Sequence, residues 1–219
     1  MITHSDEIVP PPSAAFPSGA VLCVSRKKLP DAKTVLTPDE LTFFNAMTAI
    51  ESRKTEWLWG RVVAKDAVRL FLERTSHERF TYDETSIAVD RRGKPHVTGP
   101  WAARIEISIA HSKGIAAAVA WSASYGAAGL DLEYPRALSE ALIDDTFSKT
   151  ELELVNGPQN ALALWCLKEA AAKATGEGTR HRLQDIKVES LTELRCASIR
   201  FSATRFAHRG ATIAIARII

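Results

Sequence analysis

The chain has 219 residues, 46% of them hydrophobic and 25% charged, with a formal net charge of +2. That is enough for one large domain or two small ones with a proper core, in the proportions of a soluble globular protein. A charge so near zero does not suggest general binding to nucleic acid or to membranes, and neither is expected as a partner. Cys23, Cys166 and Cys196 are widely spaced and odd in number, which fits a reducing cytoplasm and neither a disulfide framework nor a metal knuckle.

The opening nineteen residues, "MITHSDEIVPPPSAAFPSG", have no basic start and no apolar centre, so they read as a flexible N-terminal tail (1–19) and not as a signal peptide. No apolar run approaches the roughly 20 residues of a membrane span. A cytoplasmic location follows as the expectation. "AVLCVS" (20–25) reads as a short buried strand. "TPDELTFFNAMTAI" (37–50) reads as a helix with Thr37 as N-cap, Pro38 at its first position and Glu40 closing a capping box. The stretch 52–74 is a second, longer helix: Trp59, Val62, Val63, Ala67 and Leu70 make one face, and Arg53, Trp57, Arg61 and Lys65 recur every four residues on another.

"SIAVDRRGKPHV" (86–97) is a strand broken by a Gly-Lys-Pro turn. "RIEISIAHS" (104–112) alternates Ile105, Ile107 and Ile109 with the two-residue period of a half-buried strand. "GIAAAVAWS" and "YGAAGLDLEY" follow as strands. A helical stretch is then expected from about Ser139 to Gly176, ahead of a connector, "GEGTRHRLQD" (176–185). "DIKVESL", "LRCASIRFSA" and "ATIAIARII" close the chain as strands. Helices then strands thus occur twice. Both long helices also set a Lys, an acid and an Ala after a Trp, in "WGRVVAKDA" and "LWCLKEA". The order predicts an α+β protein of two similar halves, 20–122 and 123–219, with a cleft between them.

Three clusters of charge stand out. In "GLDLE" (129–133), strand alternation sends Asp131 and Glu133 the same way, with Gly129 on their face leaving room for a ligand. A divalent cation would relieve the repulsion between the two acids, and oxygen donors favour Mg²⁺ over zinc. The same spacing also describes a strand end turning into solvent. In "LWCLKEAAAKATG" (164–176), Trp165, Glu169 and Lys173 form one helical stripe, with Lys168 turned about 100° away. That stripe reads equally as a surface ion pair worth about 0.2–0.5 kcal/mol. His111 ends a strand, as a hydrogen-bonded histidine at the core edge or as a phosphate contact.

Together and in this order, "GKP" (93–95), "SIAHS" (108–112), "GLDLE" (129–133), "FSKTE" (147–151) and "WCLKEAAAK" (165–173) make the chain resemble the 4′-phosphopantetheinyl transferases of the surfactin-synthetase-activating type. The resemblance spans about residues 50–180. It implies a monomeric, pseudo-duplicated fold that moves the phosphopantetheine arm of coenzyme A onto a serine of an apo acyl or peptidyl carrier protein, releasing 3′,5′-ADP. The carriers of such enzymes serve fatty-acid, polyketide or nonribosomal peptide synthesis. It implies Asp131, Glu133 and Glu169 as ligands of Mg²⁺, with Mn²⁺ as a substitute. Glu169 would also be the candidate general base, and Lys173 would contact the transferred phosphate. It further implies His111 against a phosphate of coenzyme A, with Gly93, Lys94 and Pro95 along the nucleotide. Arg53 and Arg61 are assigned to the 3′-phosphate from helix position. One departure is Ala110, where the resemblance leads one to expect serine, so one hydroxyl contact to phosphate is missing. Alternatives with the same residues are a non-catalytic carrier-binding module and a Mg²⁺-dependent nucleotide hydrolase. The intact acids and Lys173 weigh against the first, and without a Gly-x-x-x-x-Gly-Lys-Ser/Thr loop the second is no P-loop enzyme.

Overall fold

In the computed structural model the described residues are 3–26, 28–177 and 182–219. Residues 178–181 of the connector therefore lie outside them. The chain divides into two units, Met1–Val9 with Ser18–Tyr125 and Pro10–Pro17 with Gly126–Ile219.

Unit 1 holds β1 (Ser5–Ile8), β2 (Val21–Ser25), α1 (Ala32–Val35), α2 (Pro38–Ala46), α3 (Glu51–Ser76), β3 (Ile87–Val89), β4 (Pro95–Val97), β5 (Ile105–Ser112) and β6 (Ile115–Ser122). An antiparallel sheet runs in the order β1-β2-β6-β5, and β3 and β4 form a separate hairpin. Trp59, Val62, Val63 and Ala67 of α3 are buried in one core with Cys23, Ile107 and Ala118 of the sheet. Leu70 packs at its margin. α2 starts where its first residues require: the Thr37 hydroxyl accepts from the Glu40 N–H, and the Glu40 carboxylate accepts from the Thr37 N–H.

One expectation is corrected here. The first nineteen residues are not merely a tail. Ser5–Ile8 pairs with β2, and Asp66 of α3 accepts hydrogen bonds from the His4 and Ser5 N–H groups and the Ser5 hydroxyl, besides that of Tyr82. With Arg69 Nη1 also 3.7 Å from Asp66 Oδ1, this buried carboxylate has four hydrogen-bond donors and a cation beside it. Lys65, which shares a helical stripe with Arg53, Trp57 and Arg61, is wholly buried.

Unit 2 holds β7 (Ala128–Glu133), α4 (Glu140–Thr146), α5 (Lys149–Glu153), α6 (Ala161–Ala174), β8 (Ile186–Ser190), β9 (Glu193–Cys196), β10 (Ile199–His208) and β11 (Ala211–Ile218). Its antiparallel sheet runs β7-β11-β10-β9-β8. The helix expected to run on from Ser139 is instead three pieces. Phe147 is extended and Ser148 opens α5 with a second capping box, closed by Glu151. Positive φ at Asn156 and Gly157 then turns the chain before α6.

The two capping boxes belong to one recurring device. In unit 1, Lys65 Nζ reaches Glu40 Oε2 at 2.6 Å and the Val35 carbonyl, while Glu40 Oε1 accepts from the Ile87 N–H. In unit 2, Lys168 Nζ lies 2.9 Å from Glu151 Oε1 and donates to the Thr146 carbonyl, while the same Glu151 oxygen accepts from the Val188 N–H. Each acid thus caps a short helix, receives a strand N–H and meets the lysine of the long helix. Burial pulls the Lys168 ammonium below the ordinary lysine range against the opposing pull of Glu151. Burial likewise works to raise the Glu151 carboxyl. The N–H groups of Ser148 and Val188, together with Lys168, outweigh it and hold the group below its ordinary range. Lys168→Met should therefore lower stability by about 3–5 kcal/mol in urea unfolding, because it strands the Glu151 charge in the core. Lys168→Met with Glu151→Gln should recover part of that loss. Equal midpoints for the single variant and the parent would mean that the pair contributes nothing.

Candidate active site

Strand β7 and helix α6 touch at a point that only glycine permits. A Cβ built on Gly129 would stand 2.1 Å from the Ala170 carbonyl oxygen and 2.5 Å from the Ala174 nitrogen. Contrary to the expectation from the sequence, Gly129 does not leave room for a ligand; it lets the helix backbone lie directly on the strand. Ala216 and Ala214 of β11, in register with Gly129 and Asp131, are small enough to keep the approach open.

That contact sets the charges. Asp131, two residues along the same face, is only 7% exposed, and its Oδ1 takes Lys173 Nζ at 2.8 Å. Its other oxygen, Oδ2, is buried with no hydrogen-bond partner among the described residues. Arg136 Nη2 donates to Glu133 Oε1 at 3.1 Å and its guanidinium lies 5.8 Å from the centre of the Trp165 ring. The Glu169 carboxyl is pushed above its ordinary range, first by burial and then by Asp131 and Glu133, with Lys173 opposing. Burial also works against the Lys173 charge, but Asp131 and Glu169 outweigh it and raise its pKa. Cys166, on the same helix, is fully buried, and its thiol is pushed far up by burial and by Asp131. A thiol so held is no nucleophile.

As the side chains stand, no three His, Cys, Asp or Glu residues among the described ones are grouped to hold a metal. Lys173 and Arg136 instead occupy oxygens of Asp131 and Glu133. The donor set nonetheless fits a hard divalent cation. It is all oxygen, its other two acids add to the burial that raises Glu169, and it includes a buried carboxylate oxygen with no hydrogen-bond partner among the described residues.

Unit 1 carries a cavity of about 310 Å³, lined by Arg53, Arg61, Gly93, Pro95 and His111 together with Met47, Glu56, Trp57, Gly60, Val89 and Ile109. Arg61 lies over the Trp57 ring at 4.3 Å, and its Nε is buried without a hydrogen-bond partner among the described residues. Burial lowers the pKa of this guanidinium, a sign that its charge is short of compensation. Two expected residues are elsewhere. Lys94 Nζ pairs with Glu106 at 2.7 Å, and Ala110, which alternates with His111 along β5, is buried away from the cavity. Gly93, by contrast, has φ +85° in the turn that joins β3 to β4, a conformation that favours glycine. Glu56 was missed by the reading of the sequence. Its spacing of three from Arg53 was the available signal.

A family model described as the 4′-phosphopantetheinyl transferase superfamily matches residues 127–216. The holo-[acyl-carrier-protein] synthase of Bacillus subtilis (strain 168) is 33% identical over 89 residues, 40% of this chain and 72% of the relative. The chain belongs to the 4′-phosphopantetheinyl transferase superfamily. The region matched by the superfamily model lies in unit 2 and contains Asp131, Glu133, Glu169 and Lys173. Two solved structures are similar at 26% identity and a TM-score of 0.34. One is a holo-(acyl-carrier-protein) synthase of Bacillus anthracis str. Ames in complex with CoA (3′,5′-ADP), matched over 41% of this chain and 76% of the other. The second is a holo-ACP-synthase of Plasmodium yoelii, matched over 42% and 75%. In this superfamily member no helix among the described residues is long and apolar enough to cross a membrane.

Proposed function

We propose that this protein transfers the 4′-phosphopantetheine arm of coenzyme A to a serine of an apo acyl or peptidyl carrier protein, with Mg²⁺, releasing 3′,5′-ADP. The observation that carries the reading is the meeting of Asp131, Glu169 and Lys173 across the Gly129 contact. Superfamily membership and the name of the Bacillus subtilis relative support the reaction class and the carrier.

Mg²⁺ held by Asp131, Glu133 and Glu169 would supply positive charge to the pyrophosphate as the nucleotide departs. Lys173, kept charged by Asp131 and Glu169, would turn its ammonium to the transferred phosphate. Glu169 serves first as a ligand. As a base, its second role, it would take the serine proton. In unit 1, Arg53, Arg61 and His111 would receive the 3′-phosphate, with Trp57, Gly93 and Pro95 against the nucleotide. We further infer the larger, two-half type with a duplicated ancestry, supported by the matching Lys65–Glu40 and Lys168–Glu151 devices. The reading has a monomer acting in the cytoplasm.

The test is the intact mass of an apo acyl carrier protein after incubation with this protein, coenzyme A and Mg²⁺, beside an EDTA control. The expected result is a gain of one phosphopantetheine that vanishes with EDTA. No gain on fatty-acid, polyketide or peptidyl carriers would overturn the reading.

A further inference from the structure

The anion-receiving cavity of unit 1 contains a carboxylate. Glu56 Oε2 lies 3.4 Å from Arg53 Nη1 and 3.5 Å from His111 Nδ1, so one oxygen is shared between two of the groups proposed to take a phosphate. Arg53 and Glu56 come from α3, three residues apart, and His111 from β5. The Arg53 side chain is 65% exposed and that of Glu56 18%, so the acid is the better-sheltered partner of the two. An incoming phosphate must share Arg53 and His111 with Glu56 or push it aside, and either weakens its hold.

Coenzyme A and 3′,5′-ADP carry the same 3′-phosphoadenosine. Whatever grips one grips the other, and such uniform binding lowers KM and delays release without lowering the barrier. We propose that Glu56 is an internal competing anion that limits the grip of this cavity on the 3′-phosphate and so lets 3′,5′-ADP leave. This rests on the proposed function and on the 3′-phosphate entering this cavity.

The experiment is calorimetric titration of the parent protein and of Glu56→Gln with coenzyme A, 3′-dephospho-coenzyme A and 3′,5′-ADP, followed by steady-state kinetics with an apo carrier. Glutamine keeps the shape and removes the charge. Glu56→Gln should bind coenzyme A and 3′,5′-ADP about 3–10-fold tighter, as expected for losing one like charge a few ångströms away in a partly wet site. Binding of dephospho-coenzyme A should not change. The KM for coenzyme A and the inhibition constant for 3′,5′-ADP should fall together, and kcat should not rise. Added salt should shrink the difference. A purely structural role would weaken all three ligands alike. Unchanged or weaker binding of coenzyme A by Glu56→Gln overturns the proposal, as does equal tightening of the dephospho compound. If the parent protein binds coenzyme A and dephospho-coenzyme A equally, the cavity does not take the 3′-phosphate. The assignment of the cavity is then what fails, with the mass assay still judging the reaction.

Discussion

Glu169→Gln should reduce phosphopantetheine transfer by about 10²–10³-fold or more in kcat/KM, the scale for removing one charged group that acts in the transition state. It should also raise the melting temperature of the metal-free protein. The two effects share a cause. Burial, with Asp131 and Glu133, lifts the folded-state pKa of Glu169 above its ordinary 4.5. The native state therefore binds the proton more tightly than the unfolded chain does. An ionised Glu169 thus subtracts stability at neutral pH, and that penalty disappears as pH falls through the raised value and below 4.5. Glutamine removes it at every pH. The gap in melting temperature between variant and parent should therefore be widest near pH 7 and close in acid. Mg²⁺ should reverse the order by stabilising the parent alone, since a ligand of the native state adds stability in proportion to its occupancy. Transfer near the parental rate would remove Glu169 from the site. A variant less stable than the parent without Mg²⁺ would show that its charge is not the strained one.

Gly129→Ala should cost more stability than any other single methyl group added to unit 2, about 3 kcal/mol or more, and should abolish transfer even where the protein still folds. The added Cβ would lie 2.1 Å from a backbone oxygen, 2.5 Å from a backbone nitrogen and 2.9 Å from the Lys173 Cβ. None of these is a flexible side-chain end, so the helix itself must retreat. In retreating it carries Glu169 and Lys173 away from Asp131. Urea unfolding and the mass assay on the same preparation would check both halves of this expectation. A parental midpoint with parental activity would mean that strand and helix do not meet as closely as the structure has them.

Much of this was legible in the sequence because it is local. The Ile105–Ile109 alternation marks β5, and the Thr37-Pro38 start with Glu40 is a helix N-terminus written in four residues. Asp131 and Glu133 share a face because strand side chains alternate, and Glu169 and Lys173 share one because a helix turns every 3.6 residues. The superfamily motifs were also there to be read, and the matched region contains them from "GLDLE" to "WCLKEAAAK".

What periodicity leaves undecided is which face something else covers, because the covering residues come from far along the chain. Lys65 sits on a polar-looking stripe and Lys168 to the side of the Glu169–Lys173 stripe, yet both are wholly buried, each against an acid supplied by a different helix. Glu40 looks like an ordinary capping acid, and Glu151 like an acid within a longer helix. Only the fold gives each a buried lysine and a strand N–H as well, which makes a cap into a core ion pair. Gly129 looks like space for a ligand and is instead the point of closest approach between backbones. Asp66 matches Glu169 in its local pattern, but the donors of residues 4 and 5 reach it and turn it into the anchor of the N-terminal strand. Spacing along the chain determined which side chains travel together. Tertiary packing decided which of them lose their water, and with it which charges must find partners and which remain to meet a ligand.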